Sequence, residues 1–300
     1  MTYDGEGKEA PNPVGFVGLG NMGSVLASNL VGAGLTVVAH DAAGSARCPE
    51  GVTWAAGIAQ VAGQAGTVVL SLPDGQASEQ VARDIAAVAG RRTTHVIDTS
   101  TIGVSAAESV GALLHGAGVA YVDAPVSGGV AGARARTLVV MYAAPEQECS
   151  SIEAVLAGLS DRRYRVGDRP GMAQALKLAN NYLSAIALAA TSEAISFGLS
   201  VGLDMATMLQ VLNTASGQSQ ATSDKFPKHV LTGRYSAGFT NSLMSKDVGL
   251  YLQEVRDRGG PAALAGVTAT IWERFASVQP GADFTRIFPF VEGDGCSRAG

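Results

Sequence analysis

The stretch PVGFVGLGNMG, residues 13–23, reads as a buried strand that runs into a glycine turn and then a helix. Val14, Phe16 and Val17 are the apolar, β-prone residues of a strand covered on both faces. Gly18, Leu19, Gly20, Asn21, Met22 and Gly23 carry the spacing G-x-G-x-x-G. Met22, Val25, Leu26, Leu30 and Val31 then recur at close to the 3.6-residue period of a helix. Gly18 permits the tight turn, and Gly20 has no Cβ to keep a pyrophosphate from the backbone. Gly23 lets helix and strand pack closely, and the helix N-terminus offers its N–H groups to the phosphates. A second strand at 35–39 leads to His40-Asp41, where an acid is placed to bind an adenosine ribose.

Outward from this unit, strand and helix signals alternate. Residues 42–52 leave room only for a brief helix, and the alanine-rich 53–65 predicts a longer one. An apolar strand at 67–72 is stopped by Pro73-Asp74-Gly75, and a helix is expected over 76–89. The strand at 94–98 ends in Asp98-Thr99-Ser100-Thr101, followed by a helix over 104–116 and a strand at 119–123. This alternation predicts a doubly wound parallel sheet with helices on both faces. Ligands bind beyond the carboxyl ends of such strands, so Leu72, Pro73, Ser100 and residues 123–129 fall on the same rim as the Gly18 turn. Strands at 137–142 and 163–166, with a helix over 145–159 between them, complete the α/β part.

The texture then changes. Residues 171–202 are rich in alanine and leucine and lack proline. As one helix they would span roughly 45 Å, which suits a spine between two domains. Helices are expected at 205–215, 218–229, 242–258 and 261–278, an all-α second part. The expected layout is a loose lead-in at 1–12, a dinucleotide-binding domain at 13–170, an interdomain helix at 171–202, an all-α substrate and dimerisation domain at 203–290, and a tail at 291–300.

Composition narrows the function classes. A net charge of -5 argues against nucleic acid as a partner. Cys48, Cys149 and Cys296 have neither metal nor redox spacing and suit a reducing cytoplasm. His40, His95, His115 and His229 show no ligand spacing, so no metal site is expected. No apolar run is read as long enough to span a membrane, and the polar opening lacks the apolar centre of a signal peptide.

Two stretches could do chemistry. Lys177 lies in the first turns of the spine, with Asn181 at i+4 and Ser184 at i+7 on the same face. Apolar surroundings disfavour the ammonium form and bring a lysine toward usable proton transfer. In Asp123-Ala124-Pro125-Val126-Ser127-Gly128-Gly129, Ser127 supplies a hydroxyl, and Gly128 and Gly129 can turn N–H groups toward an anion. The same stretch reads equally well as a plain strand-to-loop turn. Lys246-Asp247 alone reads as a solvated pair, Arg134 and Arg136 as a solvated loop, and Arg162, Arg163, Arg165 and Arg169 as surface. Asp41 would accept ribose hydroxyls and repel a 2′-phosphate, and Ala42 and Ala43 come next in the chain, which favours NAD over NADP. Arg47 is the nearby cation that could admit NADP.

Together these motifs resemble the β-hydroxyacid dehydrogenases, the group that includes 3-hydroxyisobutyrate dehydrogenase and tartronate semialdehyde reductase. The resemblance covers residues 14–289. It rests on GFVGLGNMG at 15–23, Leu72-Pro73, DTST at 98–101, DAPVSGG at 123–129, GMAQALKLANN at 171–181, NTASGQS at 213–219 and SLMSKD at 242–247. It implies a Rossmann-type domain and a C-terminal domain like that of 6-phosphogluconate dehydrogenase. It also implies hydride transfer between NAD and a small anionic β-hydroxy acid, with Lys177 catalytic and Asn181 assisting. Ser127, Gly128, Gly129 and Asn180 would hold the substrate, Lys246 would close over the nicotinamide end, and the helical part would build a homodimer or homotetramer. Reduction of tartronate semialdehyde or another small aldehyde acid is the alternative within the family. Imine reductases share the architecture but usually place another residue where Lys177 stands. A non-catalytic nucleotide sensor would have lost Lys177 or the Ser127 loop. The chain departs from the family pattern at Arg136, where a glycine is usual, at Ala173 in Gly171-Met172-Ala173, and at Tyr142-Ala143-Ala144.

Overall fold

Strands buried on both faces form the centre of the α/β part. In the computed structural model, which describes residues 12–293, β1 (Val14–Val17) is buried along its whole length. The expected lead-in and tail fall largely on 1–11 and 294–300, outside the described residues. The chain divides into two units, Met1–Gln174 and Ala175–Gly300.

In the first unit β1 is followed by α1 (Gly23–Gly32), β2 (Val37–His40), β3 (Val52–Trp54), α2 (Ile58–Gln64) and β4 (Thr67–Leu70). Next come α3 (Gly75–Ala87), β5 (His95–Asp98), α4 (Val104–Gly116) and β6 (Ala120–Asp123). These six strands lie in the order β3-β2-β1-β4-β5-β6, all parallel. The pleat sends alternate residues to opposite faces. Val69 of β4 joins a core with Phe16, Leu26 and Leu30, while Val68 and Leu70 join one with Val61, Val81 and Val110. The doubly wound parallel architecture is therefore present.

Three features differ from the sequence expectation. The helix expected over 53–65 begins only at Ile58, because Thr53 and Trp54 pair with β2 at the sheet edge. The glycine stretch at 126–134 is not a simple loop: β7 (Val126–Ser127) turns into α5 (Gly129–Arg134). The sheet is also mixed at one end. β8 (Val139–Ala143) pairs antiparallel with β6 and β7, and β9 (Arg162–Gly167), after α6 (Glu146–Leu159), runs parallel to β8.

The unit boundary falls within α7 (Met172–Ser200), a helix of 29 residues. Around it the second unit has α8 (Met205–Leu212), a wide-turned π-helix over Ala221–Val230, α9 (Asn241–Asp257), α10 (Ala263–Val278) and α11 (Ile287–Glu292). Pro227, which has no N–H to donate, lies inside the π-helix. Ala185, Leu188 and Ile195 of α7 pack in one core with Phe226, Met244, Trp272 and Phe275. One sequence expectation needs correction: α7, with mean hydropathy 1.4 over its most apolar window, is long and apolar enough by length and composition to cross a membrane.

Candidate active site

In the first unit the glycine turn is held by its own geometry. Gly18 has φ 95°, and a Cβ there would meet the Ser71 carbonyl oxygen and the Leu72 side chain. A Cβ on Gly23 would collide with the Gly18 carbonyl, so turn and helix pack as closely as the motif requires. A Cβ on Gly20 would meet nothing, so the turn is open there. Met22 precedes α1 as its N-cap without a side-chain hydrogen bond, and the first turn of α1 has no acidic residue. The positive end of its dipole suits an anion. These residues fit a pyrophosphate.

Asp41 does more than await a ribose. Its carboxylate accepts hydrogen bonds from the Leu19 N–H and, at 2.7 Å, from the Ala43 N–H, tying the end of β2 to the glycine turn. The Leu19 side chain is fully buried, so its part in cofactor binding would be structural. Asn21 is exposed and Met22 half-buried. Leu72 and Ser100 are also brought together: the Leu72 N–H donates to Ser100 Oγ at 2.8 Å. Pro73 is exposed beside them.

Asp98 and Asp123 end neighbouring strands in register, and both are buried. Burial raises the Asp123 carboxyl to about 6, against hydrogen bonds from Gln174 and Gly171 that lower it. Burial likewise raises Asp98, whose carboxylate accepts from the Ser100 N–H at 2.9 Å. Beyond Asp123, Ser127 is half-buried at the end of β7. Gly128 and Gly129 have φ 129° and 66°, and they start α5 without a side-chain cap.

Arg136 lies in the turn after α5 and is half-buried, and its side chain is tethered. It is a non-glycine residue at φ 56°, in the left-handed region that glycine adopts at no steric cost, which fits the glycine that the resemblance implies at this position. Its guanidinium donates to the carbonyls of Gly158 at 3.0 Å and Ala157 at 2.9 Å, at the end of α6. Arg134 is exposed in the last turn of α5.

The second unit holds the basic group. Lys177 is 6% exposed and donates from Nζ to Asn181 Oδ1 at 3.1 Å. Asn181 Nδ2 donates to Asp247 Oδ2 at 2.6 Å, and Lys246 Nζ lies 3.2 Å from Asp247 Oδ1. Asn180, exposed, donates from Nδ2 to the same Asn181 oxygen at 3.0 Å. Because a carboxylate only accepts, Asp247 fixes the Asn181 amide with its oxygen toward Lys177. Burial lowers the Lys177 pKa to about 8; Asp247 opposes this and Lys246 assists it. Asp247 is 2% exposed, so the pair expected to be solvated has one buried member. An adjacent Lys-Asp pair carries no burial signal of its own, and the sequence reading therefore missed Asp247. Ser184 is half-buried on the same helix. Among the described residues, no group of three or more His, Cys, Asp or Glu side chains could hold a metal.

Known proteins resemble the chain over nearly its whole length. Residues 13–167 match the NAD binding domain of 6-phosphogluconate dehydrogenase. Residues 171–291 match the family described as NAD-binding of NADP-dependent 3-hydroxyisobutyrate dehydrogenase. The chain is 33% identical to 2-(hydroxymethyl)glutarate dehydrogenase of Eubacterium barkeri, over 87% of this chain and 88% of that protein. It is 34% identical to a probable 3-hydroxyisobutyrate dehydrogenase of Mycobacterium bovis, over 91% of this chain and 96% of that one. A Mycobacterium tuberculosis 3-hydroxyisobutyrate dehydrogenase structure with L-serine is similar at a TM-score of 0.88 and 32% identity, covering 93% of this chain and 99% of that one. A buried lysine with an asparagine partner, an NAD-type glycine turn and matches over nearly the whole chain lead to one assignment: the chain belongs to the β-hydroxyacid dehydrogenase family, enzymes that use NAD or NADP to oxidise a CH–OH group.

Proposed function

We propose that this enzyme transfers a hydride between NAD and a small β-hydroxy acid of the 3-hydroxyisobutyrate type, with Lys177 as general acid and base. The observation that carries this reading is the buried Lys177, brought to about 8 and tied through Asn181 to Asp247. A pKa near the working pH suits a group that must both take and return a proton. NAD, bound at the glycine turn, would supply the hydride acceptor.

The chain's own residues divide the remaining work. In oxidation, neutral Lys177 takes the hydroxyl proton on Nζ. In reduction, its ammonium returns that proton to the carbonyl oxygen. Asn181 Oδ1 accepts from Nζ–H, which holds the amine in place and leaves its lone pair for the substrate. The family resemblance assigns Ser127, Gly128, Gly129 and Asn180 to the substrate and Lys246 to the nicotinamide end of the cofactor. Asp41 favours NAD, because its carboxylate would repel a 2′-phosphate. Reduction of tartronate semialdehyde or a similar aldehyde acid is the same chemistry reversed. Lys177 argues against imine reduction, and the retained Lys177 and Ser127 argue against a silent nucleotide sensor.

We further propose that the enzyme works as a homodimer or homotetramer through α7. Leu183 and Phe197 on α7 are 62% and 71% exposed, about four helical turns apart on one apolar stripe.

A screen of NAD reduction with 3-hydroxyisobutyrate, L-serine, 3-hydroxypropionate and glycerate tests the substrate class. Turnover of at least one of these is expected, at higher kcat/KM with NAD than with NADP. NADH binding without turnover of any small hydroxy acid or aldehyde acid would support the sensor and overturn the reading.

A further inference from the structure

Gln174, in the first turn of α7, is fully buried, and all four hydrogen-bonding positions of its side-chain amide are used. Oε1 accepts from the N–H groups of Ile102 at 2.9 Å and Gly103 at 3.3 Å. Nε2 donates to the Ser100 carbonyl at 3.0 Å and to Asp123 Oδ1 at 2.8 Å. The other Asp123 oxygen accepts from the N–H groups of Gly171 at 3.0 Å, Ala173 at 3.1 Å and Gln174 at 3.1 Å. One buried amide and one buried carboxylate thus hold two backbone segments: residues 100–103 after β5, and residues 171–174.

The first of these segments carries Ser100, whose Oγ accepts from the Leu72 N–H and whose own N–H donates to Asp98. Leu72 in turn lies against Gly18 of the dinucleotide turn. We propose that Gln174 and Asp123 are positioning residues for the cofactor rim: together they hold the Ser100 turn, and through it Leu72, in the shape that receives the dinucleotide. This rests on the reading of Leu72 and Ser100 as cofactor-contacting residues. It requires nothing of Lys177. Buried polar networks behave this way because each member left unpaired costs its full desolvation, so the network has one good arrangement.

The test exploits the donor and acceptor pattern. Gln174→Glu keeps the size and the acceptor for Ile102 and Gly103 but sets a carboxylate against Asp123. Asp123→Asn keeps an acceptor for the three backbone N–H groups but turns a donor toward Gln174 Nε2. In the double variant D123N/Q174E the new amide at position 123 donates to the new carboxylate at position 174. The pair is then matched again, while the Ser100 carbonyl loses its donor and faces a carboxylate oxygen. The readout is the NADH dissociation constant from fluorescence titration, with KM for NAD and kcat alongside. Each single variant is expected to weaken NADH binding by about tenfold or more, and the double variant to recover most of that loss. Wild-type NADH affinity in either single variant overturns the proposal, as does a double variant no better than the singles. Should Q174E not fold, Gln174→Met, which removes the side-chain bonds at similar length, carries the same expectation, and wild-type affinity in it is equally contradictory. Failure of Lys177 as the proton-transfer group would leave NADH binding, and hence this test, untouched.

Discussion

Lys177 is a titrating group whose surroundings set the direction of its pH response. Burial lowers its pKa from 10.5 to about 8, Asp247 opposing and Lys246 assisting. If Lys177 is the proton-transfer group, oxidation needs the neutral amine, and its rate should rise by about tenfold per pH unit below about 8 and level off above. Reduction needs the ammonium, so its rate should fall as the pH rises through the same value. Lys177 and Asn181 were legible in the sequence because an i, i+4 pair shares a helix face whatever the tertiary structure. Asp247 was not legible, since its burial comes from packing between α9 and α7, elements distant in sequence. The same holds for Gln174 and Asp123, whose partners lie 48 to 74 residues away.

Among the elements, β1, β4, β5 and β6 were legible as apolar runs with turn punctuation. They are buried parallel strands, whose sequence signal is continuous apolarity. β3 was hidden because a three-residue edge strand in front of an alanine-rich helix shows no period of its own. β7 and α5 were hidden because glycines mark a turn without specifying the element on its far side. Arg136 ties the turn after α5 to the end of α6. Its backbone is in the left-handed region at φ 56°, at some cost to a residue with a Cβ, while its guanidinium bonds the last carbonyls of α6. Arg136→Ala keeps the strained backbone and loses both bonds. Chemical denaturation should show a loss of about 1–3 kcal/mol, with kcat and KM kept close to wild type. Unchanged stability would mean that these bonds do not anchor α6.

At the scale of the whole molecule, the two-part organisation was legible from the change of texture near Gly171, and the chain divides at Gln174. What covers α7 was not legible, since the same apolar composition fits a buried helix, a membrane span or an interface between copies. Its inner side packs with Trp272 and Phe226, whereas Leu176, Leu183 and Phe197 are exposed. If these residues meet a second copy, light scattering should find a dimer or tetramer for the wild type and a monomer for Leu183→Glu/Phe197→Glu. A wild-type monomer at micromolar concentration would contradict the homo-oligomer.

The central claim is that Lys177 moves the proton that accompanies hydride transfer. The most direct measurement is the pH–rate profile of NAD reduction for wild type and Lys177→Met, each at saturating substrate, with NADH binding measured in parallel. The account predicts that Lys177→Met binds NADH like the wild type, loses about 10²–10⁴ in kcat, and loses the inflection near pH 8. Near-normal turnover with that inflection intact in Lys177→Met would contradict it.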